Sequence, residues 1–208
     1  MNEVIETIEE GKIFEKHEWL SLIDKNLYEE IAYHKNDAPV LIIKINQLLD
    51  LIKFLRDDES LRFKILADIA GIDYVFHKKY KKRFSALYNL LSLKYNRRIF
   101  IQIFLDDDEE IPSSHEIFSS ATWLQREVYD MFGIVFSNVL DGRRILTDYN
   151  FQHFPLRKDF PLTGYDEVRY DLETKSVKYS PVELDQDFRD FDFEMPWSGT
   201  EYDVGVKK

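Results

Sequence analysis

The 208-residue chain contains no cysteine. That absence removes disulfides, thiolate nucleophiles, iron–sulfur ligation and most structural zinc sites, so any electron-transfer chemistry is expected to belong to another molecule. Glycine is scarce too, with seven residues at positions 11, 71, 133, 142, 164, 199 and 205. A dinucleotide site needs glycines two and five apart after a strand, and these never reach that spacing. Long apolar runs are missing: uncharged stretches extend for only ten residues, at 84–93 and 131–140, whereas a bilayer crossing takes roughly 20 mostly apolar residues. Positive charge is in deficit, 28 Lys and Arg against 39 Asp and Glu for a net −11. Such a chain is repelled by phosphate backbones and anionic lipid. The first 20 residues are acid-rich and lack an apolar signal core, so the chain is expected to work where it is made.

What is present has globular character. Hydrophobic residues make up 44% and charged residues 32%, close to ordinary usage. The length suits one domain with a substantial extension, or two very small domains. Trp19, Ile23, Leu27 and Ile31 at four-residue spacing predict a first helix. Residues 31–34 and 40–45 read as strand, turn, strand. Asn46 is a plausible N-cap for a strong helix bearing Leu48, Leu51, Ile52 and Leu55. Leu61, Ile65 and Ile69 suggest a helical turn running into an extended 72–76. The basic stretch 77–83 then suits a hairpin tip between that strand and 84–93, and 99–105 makes a further strand after a turn at Asn96. Residues 106–110 form an acidic loop that should be solvated. Ser113 with Glu116 resembles a capping box, and a helix is expected near 121–132, stopped by Gly133.

The sum is an α+β domain over 1–135, a mainly antiparallel sheet with helices packed on one face. Residues 136–208 read as a long extended segment punctuated by prolines, whose many aromatics require a surface to bury them. One local helix is predicted to start at Pro181, with Leu184, Phe188 and Phe191 on one side.

Catalytic signatures are sparse. His17-Glu18 and His115-Glu116 could open a zinc-protease motif, but Ser21 and Ser119 stand where the second histidine is needed. No Gly-x-Ser-x-Gly elbow occurs. Glu127 and Asp130, three apart, could serve acid/base work or hold a metal. The ordinary reading pairs them with the basic cluster Arg143, Arg144, Arg157 and Lys158, a set suited to pinning one part of the molecule, or one subunit, to another. An anion site is the alternative use of those arginines. The 77–83 stretch is read as a solvated tip or a contact with an acidic neighbour, with an anion-binding module as its alternative, and His153 as a packed loop histidine.

Several stretches carry a resemblance: REVYDMFGIVFSN from Arg126, RRILTDY from Arg143, PLRKDFPLTGYDEVRYD from Pro155, FLRDD from Phe54, DIAGIDY from Asp68, YNLLSLKYN from Tyr88 and PVELDQDFRDFDF from Pro181. The chain resembles the C subunit of NADH:quinone oxidoreductase, respiratory complex I, and in style the organelle-encoded form, NADH dehydrogenase subunit 9, from about Ala38 to Trp197. It departs at 139–142, where the family has His-Pro-Asp-Leu, and at 150–155, where it has Gly-Phe-Glu-Gly-His-Pro.

The resemblance implies a cofactor-free core subunit of the peripheral arm, with iron–sulfur clusters, FMN and quinone held by partner subunits. The expected place is the matrix side of the mitochondrial inner membrane, or the cytoplasmic face in a bacterium. The expected role is assembly, keeping the iron–sulfur and quinone-binding subunits in register, with no catalytic centre in this chain. Interface or ion-pair candidates are Arg126, Glu127, Asp130, Arg143, Arg144, Asp148, Arg157, Lys158, Asp159, Tyr165, Tyr170, Phe188 and Trp197.

Overall fold

Ile99, Ile101, Ile103 and Leu105, spaced by two, are all buried, which fixes one face of a central strand against the core. The computed structural model describes residues 5–6, 17–34, 38–184 and 186. Its sheet is built from β1 (Ile5–Glu6), β2 (Glu30–His34), β3 (Ala38–Ile43), β4 (Ile65–Asp73), β5 (Phe84–Ser92) and β6 (Arg97–Leu105), in the order β1-β2-β3-β6-β5-β4. All pairs are antiparallel except β3 with β6. Ile101 lies opposite Leu41 on one side and Tyr88 on the other, and Tyr88 opposite Ile69. These residues therefore share a face.

Two helices bury their stripes on that face. Helix α1 (Leu48–Asp57) contributes Leu48, Leu51, Ile52 and Leu55, all fully buried. Helix α2 (Ala121–Phe132) contributes Ala121 and Val128 to the same cluster and stops at Gly133, whose φ of 76° is the left-handed C-cap conformation glycine adopts without strain. Short strands β7 (Glu110–Pro112) and β8 (Val135–Ser137) pair in parallel beside it. The fold is α+β, as the residue pattern indicates.

Several local expectations are corrected. The predicted first helix is two short 3-10 turns, Glu18–Leu22 and Lys25–Leu27, and Ile31 sits in β2. Asp24 separates them, its side chain accepting a hydrogen bond from the Asn26 N–H at 2.9 Å. The α1 entry is organised by Gln47 rather than Asn46: Gln47 accepts from the Lys44 N–H at 2.9 Å and donates to the Asn26 carbonyl. No helical turn occurs at 65–69, which belongs to β4. An irregularity there shifts the register between Leu66 and Asp68, so Leu66 and Ile69, three apart, both reach the core. The Ser113–Glu116 capping box is absent as well: the residue before α2 is Ser120, and Ser113 instead donates to the Gln125 side chain at 2.7 Å.

The acidic 106–110 loop is not simply solvated. Glu109 pairs with Lys82, and Asp107 with Arg157.

The chain divides into two compact units, Met1–Phe160 and Pro161–Lys208. Residues 136–160, placed in the extension by the sequence reading, are hydrogen-bonded within the first unit. In the second, β9 (Asp166–Asp171) and β10 (Ser176–Pro181) form an antiparallel hairpin. Pro181 ends β10 and starts no helix, since residues 182–184 are irregular. Phe188 and Phe191 lie outside the described residues.

Gly71 on β4 shows how closely α2 is seated: a Cβ there would lie 2.5 Å from the Phe132 ring. Gly71→Val is expected to lower stability by about 1–3 kcal/mol through overpacking, read as a lower urea midpoint. Phe132→Leu in the same chain should restore part of the loss, and a neutral Gly71→Val would show that the helix does not press on this strand.

Candidate functional site

Helix α2 carries Arg126 and Asp130 one turn apart, so both side chains project to one side. Asp130 is completely buried. Its Oδ2 accepts from the backbone N–H groups of Ile145 (3.0 Å), Leu146 (2.7 Å) and Thr147 (2.9 Å). Its Oδ1 accepts from Arg144 Nη1 at 2.7 Å and the Thr147 hydroxyl at 2.5 Å. Arg126 holds the same loop from its other end, donating to the carbonyls of Arg143 (2.7 Å) and Arg144 (3.0 Å) and pairing with Asp141 at 3.3 Å. The helix thus grips donors and acceptors of a single loop. Burial pushes the Asp130 carboxyl up, but the Thr147 hydroxyl and N–H, the Leu146 N–H and the Arg144 guanidinium together hold it well below the usual carboxylate range.

Two further pins fasten residues 154–159. Arg157 donates to the carbonyl of Phe132, at the end of α2, at 2.6 Å. Its guanidinium lies 4.7 Å from the Phe154 ring centre and 4.9 Å from that of Phe84, two cation–π contacts. Asp73, buried at the end of β4, accepts from the N–H groups of Lys158 (2.9 Å) and Val75 (3.0 Å) and from Arg83. Burial pushes this carboxyl up, and Arg83 with the two N–H groups turns the balance downward. Arg83 reaches on to Asp159 at 2.8 Å.

The structure therefore brings together Arg126, Asp130, Arg144, Arg157 and Asp159, and the backbone of Lys158. Glu127 is exposed on the other side of α2 and does not converge with Asp130, so the two carboxylates form no acid/base pair. Arg143 is exposed and pairs with Asp141 at 2.7 Å. Asp148 is exposed beside an open cleft of about 430 Å³ lined by Trp123, Arg143, Ile145 and Tyr149 among others. His153 packs between Phe151 and Phe160. Tyr165 and Tyr170 are exposed in the second unit, and Phe188 and Trp197 lie outside the described residues. Among the described residues no three His, Asp or Glu side chains are placed to hold a metal ion, and no helix is long and apolar enough to cross a membrane.

Sequence reasoning missed Asp73, Arg83 and Asp141 as pins. For Asp73 the available signal was an acid directly after the apolar Ala70-Gly71-Ile72 of a strand, where only strong hydrogen bonding tolerates burial.

Comparison with known proteins places these pins in context. Residues 41–166 match the family model described as the respiratory-chain NADH dehydrogenase 30 kDa subunit. The chain is 50% identical over 186 residues to the C subunit of NADH-quinone oxidoreductase from the Wolbachia of Brugia malayi, covering 89% of this chain and 96% of the relative. It is 51% identical over 160 residues to the protein of the same name from Rickettsia bellii, covering 77% and 80%. A chain from the archaeal membrane-bound sulfane sulfur reductase, described as a respiratory membrane complex, shares the fold with a TM-score of 0.57 at 19% identity, covering 74% of this chain and 87% of that one.

Replacing Asp130 by Asn removes the charge and puts amide hydrogens in front of N–H donors. Asp130→Asn is expected to cost about 3–5 kcal/mol at neutral pH, the usual cost of breaking a buried pair from one side. The Asp130 carboxyl is depressed in the folded state, so its contribution is present above the unfolded value of about 3.9 and lost as pH falls below it. Urea titrations between about pH 7 and pH 2 should show wild-type stability falling on the acid side, with a shallower fall in the variant. Parallel curves would remove Asp130 from this role.

Proposed function

This chain belongs to the respiratory-chain NADH dehydrogenase 30 kDa subunit family, that of the complex I C subunit, and from that membership we propose that it is a structural subunit of the peripheral arm. In this reading it holds iron–sulfur and quinone-binding subunits in register while electrons pass from NADH to quinone through cofactors in those partners. It contributes no catalytic centre and binds no cofactor. It sits on the matrix or cytoplasmic face of the membrane complex without a span of its own.

The observation that carries the proposal is the exposure of large apolar side chains on the segment pinned to α2. Leu140 (75%), Leu146, Tyr149 (71%) and Leu156 face solvent, with Trp123 on the helix. The buried Asp130 carboxylate holds the Leu146 N–H and the Met131 carbonyl the Leu156 N–H, and side chains fixed in place before docking lower its entropic cost. Enzymatic use of Asp130 is disfavoured by the same geometry, because all its hydrogen bonds are spent on the loop.

The second unit offers an independent surface. Val168 stands opposite Tyr179 and Tyr170 opposite Val177, so the four share one face of the hairpin, each half or more exposed. The opposite face carries Glu167, Arg169, Lys178 and Ser180. A two-stranded hairpin is marginal in water by itself, and packing against a partner surface would stabilise it.

The test is a double variant, Leu146→Asp with Leu156→Asp, in which both substitutions are on exposed side chains. The purified variant should melt like the wild type. Its recovery in the assembled complex should fall about tenfold or more, since each lost anchor can weaken docking by roughly 1–2 kcal/mol. Turnover per assembled complex should be unchanged. Normal assembly with a collapse in turnover would assign this surface a direct part in the chemistry.

A further inference from the structure

The link between β4 and β5 places a basic tip on an acidic protein. Residues 77–83 hold four lysines, an arginine and a histidine in a chain of net charge −11. Two of those cations are used internally, Lys82 on Glu109 and Arg83 on Asp73 and Asp159. Among the described residues Lys78 and Lys81 enter no ion pair, and both are exposed. Phe76, next to them, is 74% exposed, and Val75 is exposed as well.

The tip is not a loose loop. The Tyr74 N–H donates to the Arg83 carbonyl at 2.7 Å, extending the β4–β5 pairing, and the His77 N–H donates to the Tyr74 carbonyl at 2.7 Å. Tyr80 folds back onto the sheet, its ring 4.1 Å from Tyr74 and stacked on Phe104 at 5.3 Å. An aromatic side chain and two ammonium groups are thus held outward on a braced support.

We propose that this tip docks on a carboxylate-rich protein surface of a neighbouring subunit in the same complex, with Phe76 as the apolar anchor and Lys78 and Lys81 as its charged contacts. Charge selects the partner. A membrane gains only about 1 kcal/mol per basic residue near its surface, while the rest of this acidic chain is repelled. A polyanionic nucleic acid needs many more phosphate contacts than two lysines supply. A protein surface adds what neither of these offers, a pocket for one aromatic side chain and fixed positions for its acids.

The inference rests on the chain being a subunit of the complex, and the experiment separates the two. In the purified intact complex, zero-length carbodiimide coupling joins an ammonium to a carboxylate only where they already touch. Mass spectrometry of the digest should find amide links from Lys78 or Lys81 to Asp or Glu of a different subunit. A Phe76→Ser, Lys78→Glu, Lys81→Glu variant, melting like the wild type, should be retained in the complex about tenfold less well or worse at moderate salt. Links confined to this chain or to a second copy of it, or undiminished retention of the variant, would overturn the proposal while leaving subunit membership standing. So would lysine-dependent sedimentation of the full chain with vesicles of equal parts phosphatidylcholine and phosphatidylserine. Absence of the chain from the complex would overturn the subunit reading itself.

Discussion

Asp130 is a carboxylate withdrawn from water, and its burial is tolerated because five donors converge on it from a loop about fifteen residues further along. An ionised group in the interior costs several kcal/mol unless its oxygens are satisfied. The loop has a complementary difficulty, because it has no sheet or helix of its own to take up its N–H groups. Each solves the other's problem. Arg126 repeats the arrangement with opposite sign, supplying donors to the carbonyls of Arg143 and Arg144. One turn of helix thus fixes a stretch of otherwise irregular backbone, and the outward direction of Leu146 and Tyr149 depends on it.

The distribution of charge follows from the same economy. In a chain with eleven more acids than bases, many of the arginines are used inside the first unit. Arg83 reaches Asp73 and Asp159, Arg144 reaches Asp130, and Arg157 reaches Asp107 and the end of α2. Arginine suits these positions because its planar fork can satisfy a carboxylate or carbonyl while its face rests on Phe84 or Phe154. Most of the described lysines, by contrast, stay on the surface beside the remaining acids.

Where the hydrophobic pattern was regular, the sequence was readable: α2 begins and ends where its apolar spacing and Gly133 place it, and β5 and β6 follow from alternation around Asn96. The failures have local causes. Leu61, Ile65 and Ile69 stand four apart and so suggest a helical turn, but Leu61 belongs to the turn before β4 and Ile65 and Ile69 to the strand itself. Asp24 and Gln47 organise turns through side-chain hydrogen bonds that no periodicity records. Of the carboxylates singled out, Asp130 was legible as an ion-pair partner, whereas its fivefold hydrogen bonding was not, because three donors are backbone groups of Ile145, Leu146 and Thr147. Glu127 shares its helix but faces solvent, a difference of azimuth that spacing alone leaves undecided.

The parallel pairing of β3 with β6 also bears on how the molecule is made. Val40 meets Phe100, so β3 waits through some sixty residues of synthesis before its neighbour exists, while β4, β5 and β6 can zip up locally as a meander. Closing so long a loop is entropically slow compared with hairpin formation. The Asp73 pin comes later still, since its donor at Lys158 follows the whole sheet. During translation the segment pinned to α2 is therefore the final part of the first unit to acquire its shape. Ribosome-bound chains shorter than this point present the β4–β6 meander with Asp73 still lacking its Lys158 donor.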